Sequence, residues 1–150
     1  MNKQIVQRIE ESLQYKFADN SILKKALTHS SAAIGKLDSN ERLEFLGDSV
    51  LGLVICEALF EKFPGYLEGD LTKIKSRFVS RKTCSLLANQ LDIDGLLKVG
   101  AGMEKSRSLK GSVAAATLEA LIAAIYLDGG FKPEPVAPRE RQRQPPRTEW

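Results

Sequence analysis

Cysteine, histidine and tryptophan are almost missing from this 150-residue chain, at two, one and one. Cys56 and Cys84 lie far apart in apolar surroundings and form no CxxC pair. That argues against a zinc site or a disulfide framework and predicts two buried free thiols. The single histidine, His29, sits in Thr28-His29-Ser30-Ser31. A lone histidine at such a place is read as a local hydrogen-bonding residue that fixes a helix end, ahead of a general base. Proline is scarce until the end, with five of the six falling in residues 131–150. No apolar run is read as long enough to cross a bilayer, and no charged-then-apolar leader opens the chain. The expectation is a cytoplasmic protein with no membrane partner. Strong charge of one sign is lacking as well. The net charge is +3, and residues 131–150 supply most of the excess, with five bases against three acids. Composition alone therefore does not indicate a nucleic-acid binder.

What is present is enough apolar material, 43% of residues, for one domain with a substantial core. Asn2–Tyr15 reads as an amphipathic helix with Ile5, Val6, Ile9 and Leu13 on one face. Asp19 or Asn20 caps a second helix from Ser21 to about Leu27. Ala32–Leu37 is a loop. A long central helix is expected from about Asn40 to Phe63, broken by Pro64-Gly65. Glu68, Gly69 and Asp70 start a helix over Leu71–Ser80, with acids first and bases last as the helix dipole prefers. Thr83–Leu91 forms another helix, Leu96–Gly102 a turn, and Met103–Gly111 an exposed loop. Val113–Leu127 reads as a buried helix stopped by Gly129-Gly130.

The stretch that organises the chain is NERLEFLGDSV, Asn40–Val50. Its carboxylates Glu41, Glu44 and Asp48 are spaced by three and four, which places them on one helical face. A bound divalent cation, a basic neighbour or plain solvent would each offset their repulsion. Helix capping by Asp38, Ser39 or Asn40, including a capping box from Asp38 to Glu41, accounts for the first acids. It accounts poorly for Asp48, because the dipole effect fades after one turn. The following SVLGLVIC carries no charge, so it reads as buried on every side, with Asp48 at the mouth of a core. Glu119 is the only charged residue in the Val113–Leu127 helix. A carboxylate there must be paired, protonated or metal-bound.

These residues resemble the ribonuclease III catalytic domain. ERLEFLGDSV looks like its signature motif. The likeness extends from about Ile5 to Gly130, through LTHSS at Leu27–Ser31, PGYLEGDLTKIKS at Pro64–Ser76 and TLEALIAAIYLDGG at Thr117–Gly130. Four motifs in family order make a specific match. The resemblance implies an all-α endonuclease fold and a homodimer that hydrolyses phosphodiester bonds of double-stranded RNA with Mg²⁺ or Mn²⁺. It implies that Glu44, Asp48 and Glu119 hold metal, with Asp48 and Glu119 catalytic. Glu41 and Glu68 would line the substrate valley, and the bases after Glu68 become candidate phosphate contacts. Phe45 has two readings, a core aromatic or a side chain that reaches into a partner subunit.

Two departures stand out. The family aspartate three residues before the glutamate of the second helix is Ala116 here, and a methyl group ligates nothing. The alternative to an active nuclease is therefore a catalytically inactive member that dimerises and binds duplex RNA. A plain helical interaction domain is a further rival. In place of the double-stranded-RNA-binding domain that many members carry, residues 131–150 read as a disordered Pro/Arg-rich tail, with 1–130 as the catalytic domain.

Overall fold

The computed structural model describes residues 2–93, 96–101 and 111–130. Within them six α-helices form: α1 Lys3–Leu13, α2 Asn20–Ala26, α3 Glu41–Lys62, α4 Glu68–Phe78, α5 Arg81–Gln90 and α6 Ser112–Gly129. Two short 3₁₀ turns, Ser30–Ala32 and Lys36–Asp38, link α2 to α3. Among the described residues there is no strand, only an isolated parallel bridge between Thr28 and Lys98. The all-α expectation holds. The predicted loop Met103–Gly111 falls almost wholly outside the described residues, and the predicted tail 131–150 does so entirely.

Side-chain caps set the starts of three of these six helices. Asn2 caps α1 by accepting the Gln4 N–H, and Asp19 caps α2 by accepting the Ser21 N–H. Ser80 caps α5 through the Thr83 N–H, so α5 begins at Arg81, earlier than the predicted Thr83. α4 likewise begins at Glu68 rather than Leu71; its acids lie inside the first turn, not ahead of it. The predicted capping box at α3 does not form. Asp38 accepts the Gly35 N–H at 3.0 Å instead, and Asn40 caps without a side-chain bond. His29 fixes a helix end: its Nδ1 accepts the Ser31 N–H at 3.1 Å, capping the first 3₁₀ turn.

α6 is the centre of the molecule. It packs most extensively on α3, then on α5 and α2. Ala114, Ala115, Ala120, Ala123 and Ala124 are buried, and Leu121 is fully enclosed. Alanine on several sides lets three helices approach one rod closely. By length and composition α6 could cross a bilayer, contrary to the expectation that no run is long enough. Here it serves as a core helix, half of it buried among its neighbours. Asp128 ties its end to the N-terminal segment. Its carboxylate accepts from Ala18 N–H at 2.9 Å, Asp19 N–H at 2.8 Å and Tyr15 O–H at 2.8 Å. Those donors, the Ala18 and Asp19 amides first, hold its pKa below the usual carboxylate range.

α3 departs from expectation. Its sequence predicts burial on every side, yet only Leu43, Gly47 and Leu59 are buried. Phe45 is 79% exposed and Phe60 75%, with Leu53, Val54 and Cys56 exposed between them. The core reading of Phe45 is thereby overturned. So is the burial of Cys56, whereas Cys84 is buried as predicted. Asp48 is exposed rather than set in the mouth of a core. The reason is a shortage of neighbours: α6 and α4 cover one side of α3 and leave the opposite apolar side bare.

Where α3 crosses α6 the two backbones touch. A β-carbon added to Gly47 would overlap the Glu119 carbonyl oxygen. Gly52, on the same helix, would place its β-carbon 3.8 Å from the Lys75 side chain, an ordinary contact. Gly47→Ala is therefore expected to lower unfolding free energy by about 3 kcal/mol or more through forced helix separation. Gly52→Ala should raise it by up to about 1 kcal/mol through helix propensity. Urea unfolding followed by circular dichroism checks both.

Candidate active site

The Gly47–Glu119 crossing decides which carboxylates meet. It sets Glu44 and Asp48 on α3 beside Glu119 on α6. Glu119 is 7% exposed, Glu44 is half-buried, and Asp48 is open to solvent. Glu119 feels both of the others. Burial first, then the charges of Asp48 and Glu44, push its pKa up to about 6, against a smaller lowering by Arg81. Among the described residues no hydrogen bond reaches its carboxylate, and no three acidic, histidine or cysteine side chains stand close enough to grip one ion. The three carboxylates thus share one electrostatic neighbourhood but are not drawn together.

Two further groups belong to this neighbourhood. Arg81, the first residue of α5, brings its guanidinium to 4.0 Å from the Glu44 carboxylate. The Cys84 thiol, one turn on and fully buried, has its pKa raised by burial and then by Glu119 and Asp48. Arg81 is legible in the sequence only as one base in a run, and nothing in the spacing of Cys84 links it to the acids. Both depend on α5 packing against α6.

Glu41 and Glu68 stand apart. Glu41 is exposed and accepts the Ser39 O–H at 3.2 Å. Glu68 is exposed at the start of α4 and accepts the Thr72 O–H at 2.7 Å. Among the described residues no hydrogen bond or ion pair joins either to Glu44, Asp48 or Glu119. Ala116 lies one turn before Glu119 on α6 and is half-buried. By chemistry three carboxylates suit a hard divalent cation that binds oxygen, although as placed here they do not close on one ion.

Residues 19–135 match the family described as Ribonuclease-III-like. The chain belongs to that family. It is 54% identical over 125 residues to ribonuclease 3 of Rhodopirellula baltica, a match covering 83% of this chain and 47% of that protein. It is 47% identical over 135 residues to ribonuclease 3 of Pseudomonas syringae, covering 89% of this chain and 56% of the relative. The chain thus spans about half the length of these relatives. Among solved structures it resembles the nuclease domain of ribonuclease III from Campylobacter jejuni, with a TM-score of 0.78 and 41% identity. That likeness covers 84% of this chain and 87% of the other, and its description concerns flexibility in a region involved in dimer formation.

The raised Glu119 pKa has a definite sign in stability. The folded carboxyl holds its proton up to about pH 6, above its ordinary 4.5. Its ionisation therefore costs the folded state about 2 kcal/mol at pH 8, since each tenfold change in acidity is worth about 1.4 kcal/mol. That cost fades as pH falls through 6 and is gone below 4.5. In EDTA, Glu119→Gln should be more stable than the parent chain at pH 8 by about this amount, with the difference vanishing near pH 4. Urea unfolding across this pH range reads the difference directly.

Proposed function

We propose that this chain is a metal-dependent endoribonuclease domain that hydrolyses phosphodiester bonds of double-stranded RNA, with activity reduced by Ala116. The observation that carries the reading is Glu119, a buried carboxylate on the core helix that faces Glu44 and Asp48 across the helix crossing. Membership of the ribonuclease-III-like family supports the substrate class. Glu44, Asp48 and Glu119 would supply the oxygen donors for Mg²⁺ or Mn²⁺. When bound, such a cation supplies Lewis-acid activation of water and neutralises charge at the phosphate.

The chain's own groups do the rest. Asp48, open to solvent, orients the attacking water and accepts its proton. Glu119, fixed by α6, keeps its carboxylate where water is scarce and a counter-charge is worth most. Arg81 stands beside Glu44, placed to meet the non-bridging oxygens of the phosphate. Glu41 and Glu68, both exposed, border the path of the duplex. Recognition of duplex RNA relies on A-form shape, 2′-hydroxyls and phosphates rather than on base sequence.

Ala116 favours a second reading, an inactive member that dimerises and binds duplex RNA. Cleavage of long duplex RNA with Mg²⁺ by this chain and by Ala116→Asp separates the two. We expect Ala116→Asp to cut at least about tenfold faster, since even outer-shell changes at metal sites cost that much. Equal rates would remove any role for the vacant position. A parent chain that binds duplex without ever cutting it, beside an Ala116→Asp variant that cuts, would establish the inactive reading. Thermal melting supplies a second readout: added Mg²⁺ should raise the midpoint of the parent chain more than that of Glu119→Gln.

The bare side of α3 supports a homodimer. Phe45, Leu53 and Phe60 form an exposed apolar stripe of the kind that marks interfaces. Phe45 is the exposed aromatic nearest the acidic cluster along α3. As a buried aromatic anchor it would contribute about 2 kcal/mol or more. Phe45→Ala should accordingly weaken the dimer about 30-fold or more, read by sedimentation equilibrium.

A further inference from the structure

We infer that a second phosphate-binding site lies away from the acidic cluster, in a surface cavity between α2 and residues 96–101, and that it takes the sugar-phosphate backbone of the duplex RNA. This rests on the nuclease reading above. The cavity has a volume of about 330 Å³ and is walled by Lys24, Lys25, Lys98 and Thr28, with Asp38 as its single acid. The Asp38 carboxylate is already engaged, accepting the Gly35 N–H at 3.0 Å. Among the described residues none of the three lysines has an ion pair. On its far side Lys24 also borders Glu10, whose carboxylate accepts the Phe17 N–H at 2.9 Å.

The helix dipole accounts for bases in the last turn of α2. It does not account for Lys98, which arrives from a distant part of the chain and is pinned in place. The Lys98 N–H donates to the Leu27 carbonyl at 2.8 Å, and the His29 N–H donates to the Lys98 carbonyl at 3.0 Å. Two residues on, the Gly100 N–H donates to Ser31 Oγ at 3.0 Å. There the backbones are so close that a β-carbon on Gly100 would overlap the Ser31 carbonyl oxygen. The fold thus holds a third lysine at a cavity already lined by two. Like charges so placed repel, and an anion relieves them. Lysine supplies point charges rather than a planar fork, which suits phosphate contacts without sequence preference.

The site's surroundings select the occupant. A neighbouring hollow shares the Ala33–Ile34 wall and is lined by Lys36, Ser39 and Glu41. A continuous surface therefore leads from the lysines, across the two 3₁₀ turns, to Glu41 in the first turn of α3. Glu44 follows one turn later. The same segment is tied to α2 by the Asn40 N–H, which donates to the Thr28 carbonyl at 2.9 Å. A strand that runs from the acidic cluster past Glu41 meets Lys36 and then the lysine cavity.

The test is duplex binding rather than cleavage, by fluorescence anisotropy of a labelled RNA duplex in EDTA over a salt series. The parent chain is compared with K24Q/K25Q/K98Q and with K16Q/K62Q, exposed lysines elsewhere. K24Q/K25Q/K98Q should weaken binding about tenfold at physiological salt. It should also flatten the slope of log affinity against log salt by about two to three, near 0.9 per lost phosphate contact. K16Q/K62Q should leave the slope unchanged. A parent slope retained by K24Q/K25Q/K98Q overturns the site and leaves the nuclease reading standing. Absence of duplex binding by the parent chain at low salt overturns both. A titration with inorganic phosphate, followed by the amide NMR signals of Thr28 and Lys98, separates the two sources of phosphate. Saturating shifts with an unchanged RNA slope would assign the cavity to free phosphate and overturn the RNA occupant.

Discussion

The contact on which everything else depends is the crossing of α3 and α6 at Gly47. With no side chain there, the α3 backbone rests on the Glu119 carbonyl. That approach puts acids separated by some seventy residues of sequence in one electrostatic neighbourhood. It also fixes their unequal exposure. Glu119 is carried into the interior by the helix on which it sits, while Glu44 and Asp48 stay on the outer turns of α3. A larger residue at position 47 would separate the helices and so reduce the burial, and then the Asp48 and Glu44 charge effects, that raise the Glu119 pKa.

Unequal burial gives the carboxylates different electrostatic settings. In a dry setting a charge interacts strongly with any partner, and in water the same interaction is weak. Glu119 is therefore the group whose protonation depends most on what stands near it. Asp48 stands in contact with solvent. Arg81 tempers the cluster from a third helix, and its half of the balance exists only because α5 packs against α6. The acidic site is thus built by three helices, although two of them supply all its carboxylates.

The helices are legible in the sequence because their signals are local. Asp19 and the Pro64-Gly65 break mark two boundaries well, and the uncharged run around Glu119 reads correctly as a core helix. The spacing of Glu44 and Asp48 places them on one face, as it must. Exposure on α3 is not legible. A helix apolar on every side reads as buried, but burial needs neighbours, and hydrophobic pattern does not count them. The same gap misplaces Cys56 and leaves Phe45 open between two readings. Helix capping fails at Asp38 because the Gly35 amide competes for its carboxylate through a turn the pattern does not resolve. Lys98 is invisible as a partner of Lys24 and Lys25, because their meeting depends on a two-residue bridge between segments far apart in the chain.

Ala116 acts on the site in two opposite ways. An aspartate there would stand one turn from Glu119 on the same helix, close enough to add a further negative charge. Without a cation it would raise the Glu119 pKa beyond its present value and make ionisation costlier. With a cation it would add an oxygen donor and anchor the ion more firmly. Alanine removes both effects at once. The acid cluster of this chain is thus easier to ionise without metal, and it has less with which to hold metal once ionised. If the proposed ion binds, that trade would leave the core helix less dependent on it for stability. On the proposed nuclease reading it also shifts the demand for charge balance onto Arg81 and the phosphates of the substrate.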